Sequence, residues 1–332
     1  MDNQKDFFKP DEIRALANSF QQSRILLTAV ELDLFTILDK HMLTSAEVAK
    51  QINTNERATD RLMNALVGLG FIRKLKNKFY NVEHSSQYLV KGKPEFMGGL
   101  FHSIGLWDAW SSLTEAVQAG KSVNKNLHSN SRIDWLESFI GAMHYRGVKE
   151  AKLTSMMLDL TNVNRMLDLG GGSGVFSIEF IKKNPNIKSV VFDLPEVIPI
   201  TQRYVESENL GPNFSFIGGN YLTDLFPGDY DLIFLSAIVH INSLDENKKL
   251  IKKCFDALKP NGHIVIKDWI MSNDRVEPVG GAYFALNMLV GTESGDTYTE
   301  SEMKDWFNAA GIIKIERKDT GFGSSLLIGY KN

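Results

Sequence analysis

Three features of this sequence have residue types and spacing suited to chemistry. The first is Met166-Leu167-Asp168-Leu169-Gly170-Gly171-Gly172-Ser173-Gly174, an Asp-x-Gly-x-Gly-x-Gly pattern between a predicted strand and a predicted helix. Glycines there let the backbone approach a ligand closely and leave free amides at a helix N-terminus. The dinucleotide pattern Gly-x-Gly-x-x-Gly does not fit, because its third glycine position holds Val175 or Ser177. The second feature is Asp193 in Val191-Phe192-Asp193-Leu194-Pro195, 23 residues past Gly170. An acid at the tip of the second strand can accept both hydroxyls of a ribose. The third is His240, which closes the apolar run 232–239 at the carboxyl end of a predicted parallel strand, the edge where open α/β sheets bind ligands. Taken singly, the glycines could form a tight turn, Asp193 could cap a helix, and His240 could satisfy a strand end. Together they describe a nucleoside-type cofactor beside a titratable side chain.

Such side chains need a scaffold at their strand ends, and the second half of the chain supplies its pattern. Segments 165–169, 189–193, 214–217, 232–235 and 264–267 read as short buried strands, with helical segments 173–183, 195–208 and 244–258 among them. That alternation predicts a parallel sheet with helices on both faces. Thr299-Glu300-Ser301-Glu302 is a capping box for a helix ending near Gly311, and 312–316 and 325–330 read as two last strands that pair antiparallel.

The first hundred residues read differently. Leu16, Phe20, Ile25, Leu26, Val30, Leu34 and Leu38 recur at helical spacing over 11–39. Thr44-Ser45-Ala46-Glu47 is a capping box for a short helix ending near Ile52. Asn55 caps a second helix, with an expected buried stripe of Ala58, Leu62, Ala65, Leu66 and Leu69 and Gly70 just past its end. Strands at 71–75 and 79–82 then flank Lys76-Asn77-Lys78, the order of a winged helix-turn-helix.

Composition narrows the class without naming the chemistry. The 332 residues suggest about two domains. With 43% hydrophobic and 23% charged residues, the chain is neither disordered nor collagen-like. A net charge of −3 argues against a nucleic-acid coat. On the second winged-helix segment Glu56, Arg57, Asp60 and Arg61 cancel, so a DNA-binding regulator is the weaker reading and no nucleic-acid partner is expected. The single cysteine, Cys254, forms no internal disulfide, which fits a reducing compartment and supplies no zinc framework. Neither a signal-like apolar stretch at the N-terminus nor an 18-residue apolar run is visible. A cytoplasmic protein without a membrane partner is the expectation.

On these motifs the second half resembles the class I S-adenosylmethionine-dependent methyltransferases. Nearly the whole chain resembles their plant-type small-molecule O-methyltransferase branch, which also occurs in bacteria. The resemblance rests on Leu66-x-x-Leu69-Gly70-Phe71, the 168–174 loop, Phe192-Asp193-Leu194-Pro195, Gly218-Gly219-Asn220, Val239-His240 and Ala309-Ala310-Gly311. It implies a winged-helix dimerisation domain over 1–100. The remainder, 101–332, would hold linking helices and a Rossmann-like doubly wound α/β methyltransferase domain with an antiparallel last strand. It also implies a homodimer through the N-terminal domain, S-adenosyl-L-methionine as cofactor with S-adenosyl-L-homocysteine as product, and a small-molecule acceptor; the sequence offers no carboxylate cluster beyond the acids assigned below, so no metal is expected.

Carried over residue by residue, the resemblance puts Asp168, Gly170 and Gly172 in the cofactor loop, with the two glycines beside the methionine portion. Asp193 would hold the ribose, Asn220 and Tyr221 would face the adenine, and Ser236 would border the cofactor. His240 would be the general base and Asp268 its orienting acid, where relatives commonly carry Glu. Met143, Met288 and Thr292 would line the acceptor site, and Phe284, one turn before Met288 on the same helix face, joins them by its spacing. There are departures. Asn220 stands where the family usually has Asp, and Ile241-Asn242 stands where it has Asp-Trp. A second family acid falls on Thr297, and Asp296 or Glu293 could replace it only by a local shift.

The chemistry favours an acidic hydroxyl. A phenol ionises near pH 10 and imidazole near 6.5, so complete proton transfer before attack costs about 5 kcal/mol. A nearby sulfonium and concurrent attack reduce that cost, whereas an aliphatic alcohol is much harder for histidine to deprotonate. Methylation of N, C or S, or cofactor binding without turnover, are the alternatives. The missing second acid and the altered neighbours of His240 motivate the latter, while His240 favours O over N, because a neutral amine needs less help from a base.

Overall fold

The computed structural model describes residues 8–123 and 133–332. The chain divides into two compact units, Met1–Gly105 and Leu106–Asn332. Elements α1 (Pro10–Glu31), α2 (Leu34–Ile37), β1 (Leu43–Thr44), α3 (Ser45–Gln51), α4 (Glu56–Gly68), β2 (Ile72–Leu75), β3 (Lys78–Asn81) and α5 (Glu83–Tyr88) belong to the first unit, and α6 (Leu100–Ser111) runs across the division.

Local signals set several of these boundaries. Thr44 and Glu47 form a reciprocal capping box, Glu47 N–H donating to Thr44 Oγ1 and Thr44 N–H to Glu47 Oε2. Asn55 Oδ1 accepts from Ala58 N–H at the start of α4. At its end Gly70 takes φ +82° while Phe71 N–H reaches back to the Leu66 carbonyl, so the last orphan carbonyls are satisfied. The three short strands order as β1-β3-β2, β1 being too short to show a period in the sequence.

Two expectations about faces change. The buried residues of α4 are Thr59, Met63 and Leu66. Ala58 is exposed, and Leu62, Ala65 and Leu69 are only partly buried. Periodicity gives an apolar arc, but packing against α1, α3 and the wing decides where its centre falls. On α1 the buried residues begin only at Leu27, while Leu16 and Phe20 are exposed. The core of this unit collects Val30, Leu34, Phe35, Leu38, Val48, Met63, Leu66 and Phe79.

In chain order the second unit adds α7 (Leu113–Ala119), α8 (Ile133–Met157), β4 (Arg165–Leu169), α9 (Val175–Lys183), β5 (Lys188–Asp193), α10 (Ile198–Ser207), β6 (Phe214–Gly218) and β7 (Tyr230–Ser236). It continues with α11 (Leu244–Ala257), β8 (Leu258–Asp268), β9 (Ile270–Met271), α12 (Val279–Gly291), β10 (Tyr298–Thr299), α13 (Glu300–Ala310), β11 (Lys314–Asp319) and β12 (Ser325–Tyr330). Among the described residues these strands include a seven-stranded sheet ordered β11-β12-β8-β7-β4-β5-β6. β4 is parallel to β5 and β7, β7 to β8 and β5 to β6, while β12 runs antiparallel to both β8 and β11.

Alternate residues of the central strands feed two buried layers. Leu167, Leu169, Ile233, Leu235, Ile264 and Ile266 pack with Trp306 and Phe307. Met166, Phe234, Val265, Leu326 and Ile328 pack with Phe180 on the other face. Burial on both faces explains the near-continuous apolar runs of β4, β7 and β8. The strand order reverses between β4 and β7, and a crevice opens at the carboxyl ends of strands at such a point. The glycine loop follows β4 and His240 follows β7, so topology alone brings them to one edge.

His240 does not close its strand. β7 ends at Ser236, Ala237 turns to φ +57°, and His240 sits in a single 3-10 turn over Val239–Ile241. No helix of the described residues is long and apolar enough to cross a membrane.

Candidate active site

The glycine loop is shaped for close approach. Gly170 and Gly172 take φ +65° and +55°, a region that side chains with a Cβ rarely adopt, and a Cβ at Gly170 would run into the Ile238 side chain. Gly172 N–H donates to Asp193 Oδ2 at 2.7 Å, and its carbonyl accepts from Thr201 Oγ1 at 2.5 Å. Next to it, Ser173 Oγ lies 2.9 Å from Nδ1 of His144, whose ring stacks on Tyr204 with centroids 4.1 Å apart. Loop, strand tip, α8 and α10 are thus pinned together.

Asp193 accepts a second backbone bond, from Leu194 N–H to Oδ1 at 2.7 Å. Burial raises its pKa above the ordinary carboxylate value, the two backbone donors hold it back, and Glu196 adds to the rise. Each carboxylate oxygen has two lone pairs, so each keeps one for a further donor. Asp168 is 2% exposed and faces the helix behind the loop, its Oδ2 accepting from Ser177 Oγ at 2.6 Å. Burial, with a smaller push from Asp193, raises its pKa to about 6.

Past β6, Asn220 is exposed and closes its own turn. Its N–H donates to Asp224 Oδ2 and its Oδ1 accepts from Leu222 N–H, both at 2.9 Å. Tyr221 is half-buried, and its hydroxyl donates to Asn242 Oδ1 at 3.1 Å. Burial pushes that hydroxyl up to about 12. Lys253 of α11 holds this loop by donating to the carbonyls of Tyr221 and Asp224, at 2.7 and 2.8 Å. Ser236, half-buried, ends β7 opposite Lys267.

On the other side of the switch point, His240 Nδ1 lies 2.9 and 3.0 Å from the two oxygens of Asp268, the last residue of β8. Both side chains are buried. Asp268 Oδ1 also accepts from Trp269 N–H at 2.8 Å. The Phe284 ring meets the His240 imidazole edge to face, with centroids 4.8 Å apart at 89°. Trp269 lies behind Phe284 at 6.2 Å, and a Cβ at Gly280 or Gly323 would come within 2.8 Å of its ring.

The remaining expected wall residues are placed unevenly. Met288 is buried one turn beyond Phe284 on α12. The Thr292 hydroxyl donates to the Met288 carbonyl and accepts from Gly295 N–H, so it shapes the end of α12. Met143 is half-buried on α8, next in sequence to His144. An ion pair between buried Lys267 and half-buried Glu150, 2.6 Å apart, ties that helix to the end of β8.

Thr297 is buried, with its hydroxyl 3.3 Å from the Gly281 carbonyl, and the Asp296 carboxylate turns to Arg275. The backbone N–H of Asp296 instead donates to the His240 carbonyl at 3.0 Å. Cys254 is buried in the core, where burial pushes its thiol up to about 12. Trp269, Asn242 and Asn247 are structural parts of this edge that their local sequence did not single out. Trp269 depends on two glycines that meet it only in the fold.

A doubly wound sheet with one antiparallel strand, a glycine loop at its switch point and an acid at the tip of the next strand define a class I methyltransferase. The chain belongs to the O-methyltransferase family: the family's O-methyltransferase domain matches residues 110–313 and its dimerisation domain residues 15–92. Among curated relatives it is 29% identical to the tetracenomycin polyketide synthesis 8-O-methyl transferase of Streptomyces glaucescens, over 97% of each chain. It is 27% identical to the 3-hydroxy-5-methyl-1-naphthoate 3-O-methyltransferase of Streptomyces sahachiroi, over 92% of this chain and 90% of that one. Its fold superposes on the human N-acetylserotonin methyltransferase solved in complex with S-adenosylmethionine, with a TM-score of 0.84, 25% identity and full coverage of both. The methyl donor of the family is S-adenosylmethionine. The donor set fits it, since Asp193 offers two free lone pairs to a diol and the glycine backbone leaves room beside them.

Proposed function

We propose that this enzyme methylates a hydroxyl group of a small aromatic molecule, with His240 as general base and Asp268 as its orienter. The observation that carries this reading is the buried His240–Asp268 pair. A carboxylate accepts hydrogen bonds and does not donate them. The ring proton therefore sits on Nδ1, and Nε2 keeps the lone pair that takes a proton from the acceptor.

Bound S-adenosylmethionine supplies an electrophilic methyl group on a sulfonium. Asp193 would hold its ribose, Gly170 and Gly172 its methionine portion, and Asn220, Tyr221 and Ser236 the nucleoside side. Asp168 would support the loop from behind. Phe284 and Met288, with Met143 from α8, offer apolar walls for a flat ring, and the edge-to-face contact of Phe284 keeps the imidazole from rotating away. Thr292 acts on that wall through the end of α12.

Asp268→Asn tests the pair. An amide in that place can present a donor to Nδ1 and favour the wrong tautomer. We expect kcat to fall ~10²–10⁴-fold while the affinity for S-adenosylhomocysteine, read by isothermal titration, stays at the wild-type value. Wild-type turnover in the variant contradicts the assignment.

The reading includes a homodimer through the N-terminal unit. Ile13, Leu16 and Phe20 lie 55%, 62% and 54% exposed at helical spacing on α1, and the dimerisation domain matches from residue 15. In light scattering after gel filtration, the wild type should run at twice the chain mass and Leu16→Glu/Phe20→Glu at once the chain mass. A monomeric wild type, or a double variant that remains dimeric, rejects this interface.

A further inference from the structure

We infer that Tyr221, Asn242 and Asn247 form a directed hydrogen-bond chain that makes Asn242 a positioning residue, coupling the nucleoside side of the site to the turn that carries His240. The inference rests on the assignments of Tyr221 and His240 proposed above.

The direction of the chain follows from its end. The Val239 carbonyl can only accept, so Asn247 must turn its amide nitrogen toward it, and does so at 2.7 Å. Asn247 Oδ1 is then the acceptor for Asn242 Nδ2, at 3.1 Å. That leaves Asn242 Oδ1 to accept, and the Tyr221 hydroxyl must donate, at 3.1 Å. Asn242 is 3% exposed and Asn247 fully buried, so reversing either amide would leave a buried group unpaired.

The same turn is held elsewhere along its length. The His240 carbonyl accepts from Asp296 N–H at 3.0 Å, and the Asn242 carbonyl accepts from the Tyr298 hydroxyl at 2.5 Å. Carbonyls on both sides of the base, and its own, are therefore each fixed by a different segment: α11, the loop before β10, and β10 itself. Only one of the bonds described for this turn comes from the loop after β6, and that is the bond from Tyr221. Lys253 clamps the backbone of that loop, which leaves the Tyr221 side chain as the link between a ligand lying on the loop and the backbone of Val239 and Asn242. Asn242 thus has a use of its own at a position where the family usually places Trp.

The test reads hydrogen exchange of peptides spanning 237–243, with and without S-adenosylhomocysteine, in wild type, Tyr221→Phe and Asn247→Asp. Tyr221→Phe removes one oxygen and keeps the ring. Asn247→Asp keeps the acceptor for Asn242 but loses the donor to Val239, and circular dichroism with a thermal melt checks its folding. The ligand should slow exchange at 237–243 in wild type. In Tyr221→Phe it should still bind while that protection is largely lost. With the substrate in place, kcat should fall roughly three- to tenfold with the KM for the acceptor unchanged.

If Asn247→Asp folds, it should behave in the same way; if it does not fold, Tyr221→Phe decides alone. Wild-type protection in Tyr221→Phe, or an unchanged kcat, overturns the inference. Asp193→Ala and His240→Ala run alongside separate the failures. Retained ligand binding in the first, or retained turnover in the second, rejects the underlying site assignment. Their expected losses together with a silent Tyr221→Phe reject the chain alone.

Discussion

His240→Ala should lower kcat on a phenolic acceptor by about 10²–10⁴-fold while S-adenosylhomocysteine binds as it does to wild type. The split follows from geometry. His240 lies beyond β7, held by Asp268 of β8 and by the Phe284 edge, whereas the residues assigned to the cofactor lie mainly at the ends of β4, β5 and β6. Removing the imidazole takes away the group proposed to receive the proton and leaves the glycine loop and Asp193 untouched. Isothermal titration and a labelled-methyl assay on the same preparation measure the two effects. Undiminished turnover would show that the proton leaves by another route.

The second large effect belongs to Asp193→Ala. The wild-type carboxylate joins the glycine loop to the tip of β5 and keeps one lone pair on each oxygen, which the proposal gives to the ribose hydroxyls. Two hydrogen bonds to a charged acceptor contribute about 1.5–3 kcal/mol each, so the loss should weaken S-adenosylhomocysteine binding by at least ~10²-fold. Gly172 N–H also loses its acceptor, and loosening of the loop adds to the effect. Unchanged affinity would place the ribose elsewhere. Asp193→Asn refines the comparison, because it keeps an acceptor and removes the charge, and it should fall between the two.

Much of the fold and of the cofactor loop was legible because the signals are local. The Thr44–Glu47 and Thr299–Glu302 capping boxes form as their spacing predicts, since the reciprocal bonds involve residues three apart. The 168–174 glycines and Asp193 stood out because a tight strand-to-helix turn and a strand-tip acid depend on a few neighbouring residues. The His240–Asp268 pairing spans 28 residues and came through only by family resemblance; in the fold it joins the turn after β7 to the end of the adjacent strand β8.

What was not legible depends on tertiary contact. The centre of the α4 apolar face moved to Thr59, Met63 and Leu66 because neighbouring elements choose one side of a broad arc. The strand read at 232–235 forms as Tyr230–Ser236, but the apolar run on to Val239 did not show that the chain turns at Ala237 and carries His240 in a 3-10 turn beyond the strand. Asn242 read only as a departure from the family pattern. Its buried amide acquires meaning once Tyr221, 21 residues before it, and Asn247, on the helix that follows, are brought to it. Trp269 is similarly invisible without Gly280 and Gly323 against its ring.

The base assignment can be tested with a series of phenolic acceptors that this enzyme methylates, their pKa running from about 10 to below the assay pH. The measurement is the ratio of wild-type to His240→Ala turnover for each acceptor. A phenol that is already ionised needs no base, so the ratio should be large for ordinary phenols and shrink toward one as the acceptor becomes more acidic. A ratio that stays constant across the series would contradict His240 as the group that takes the proton.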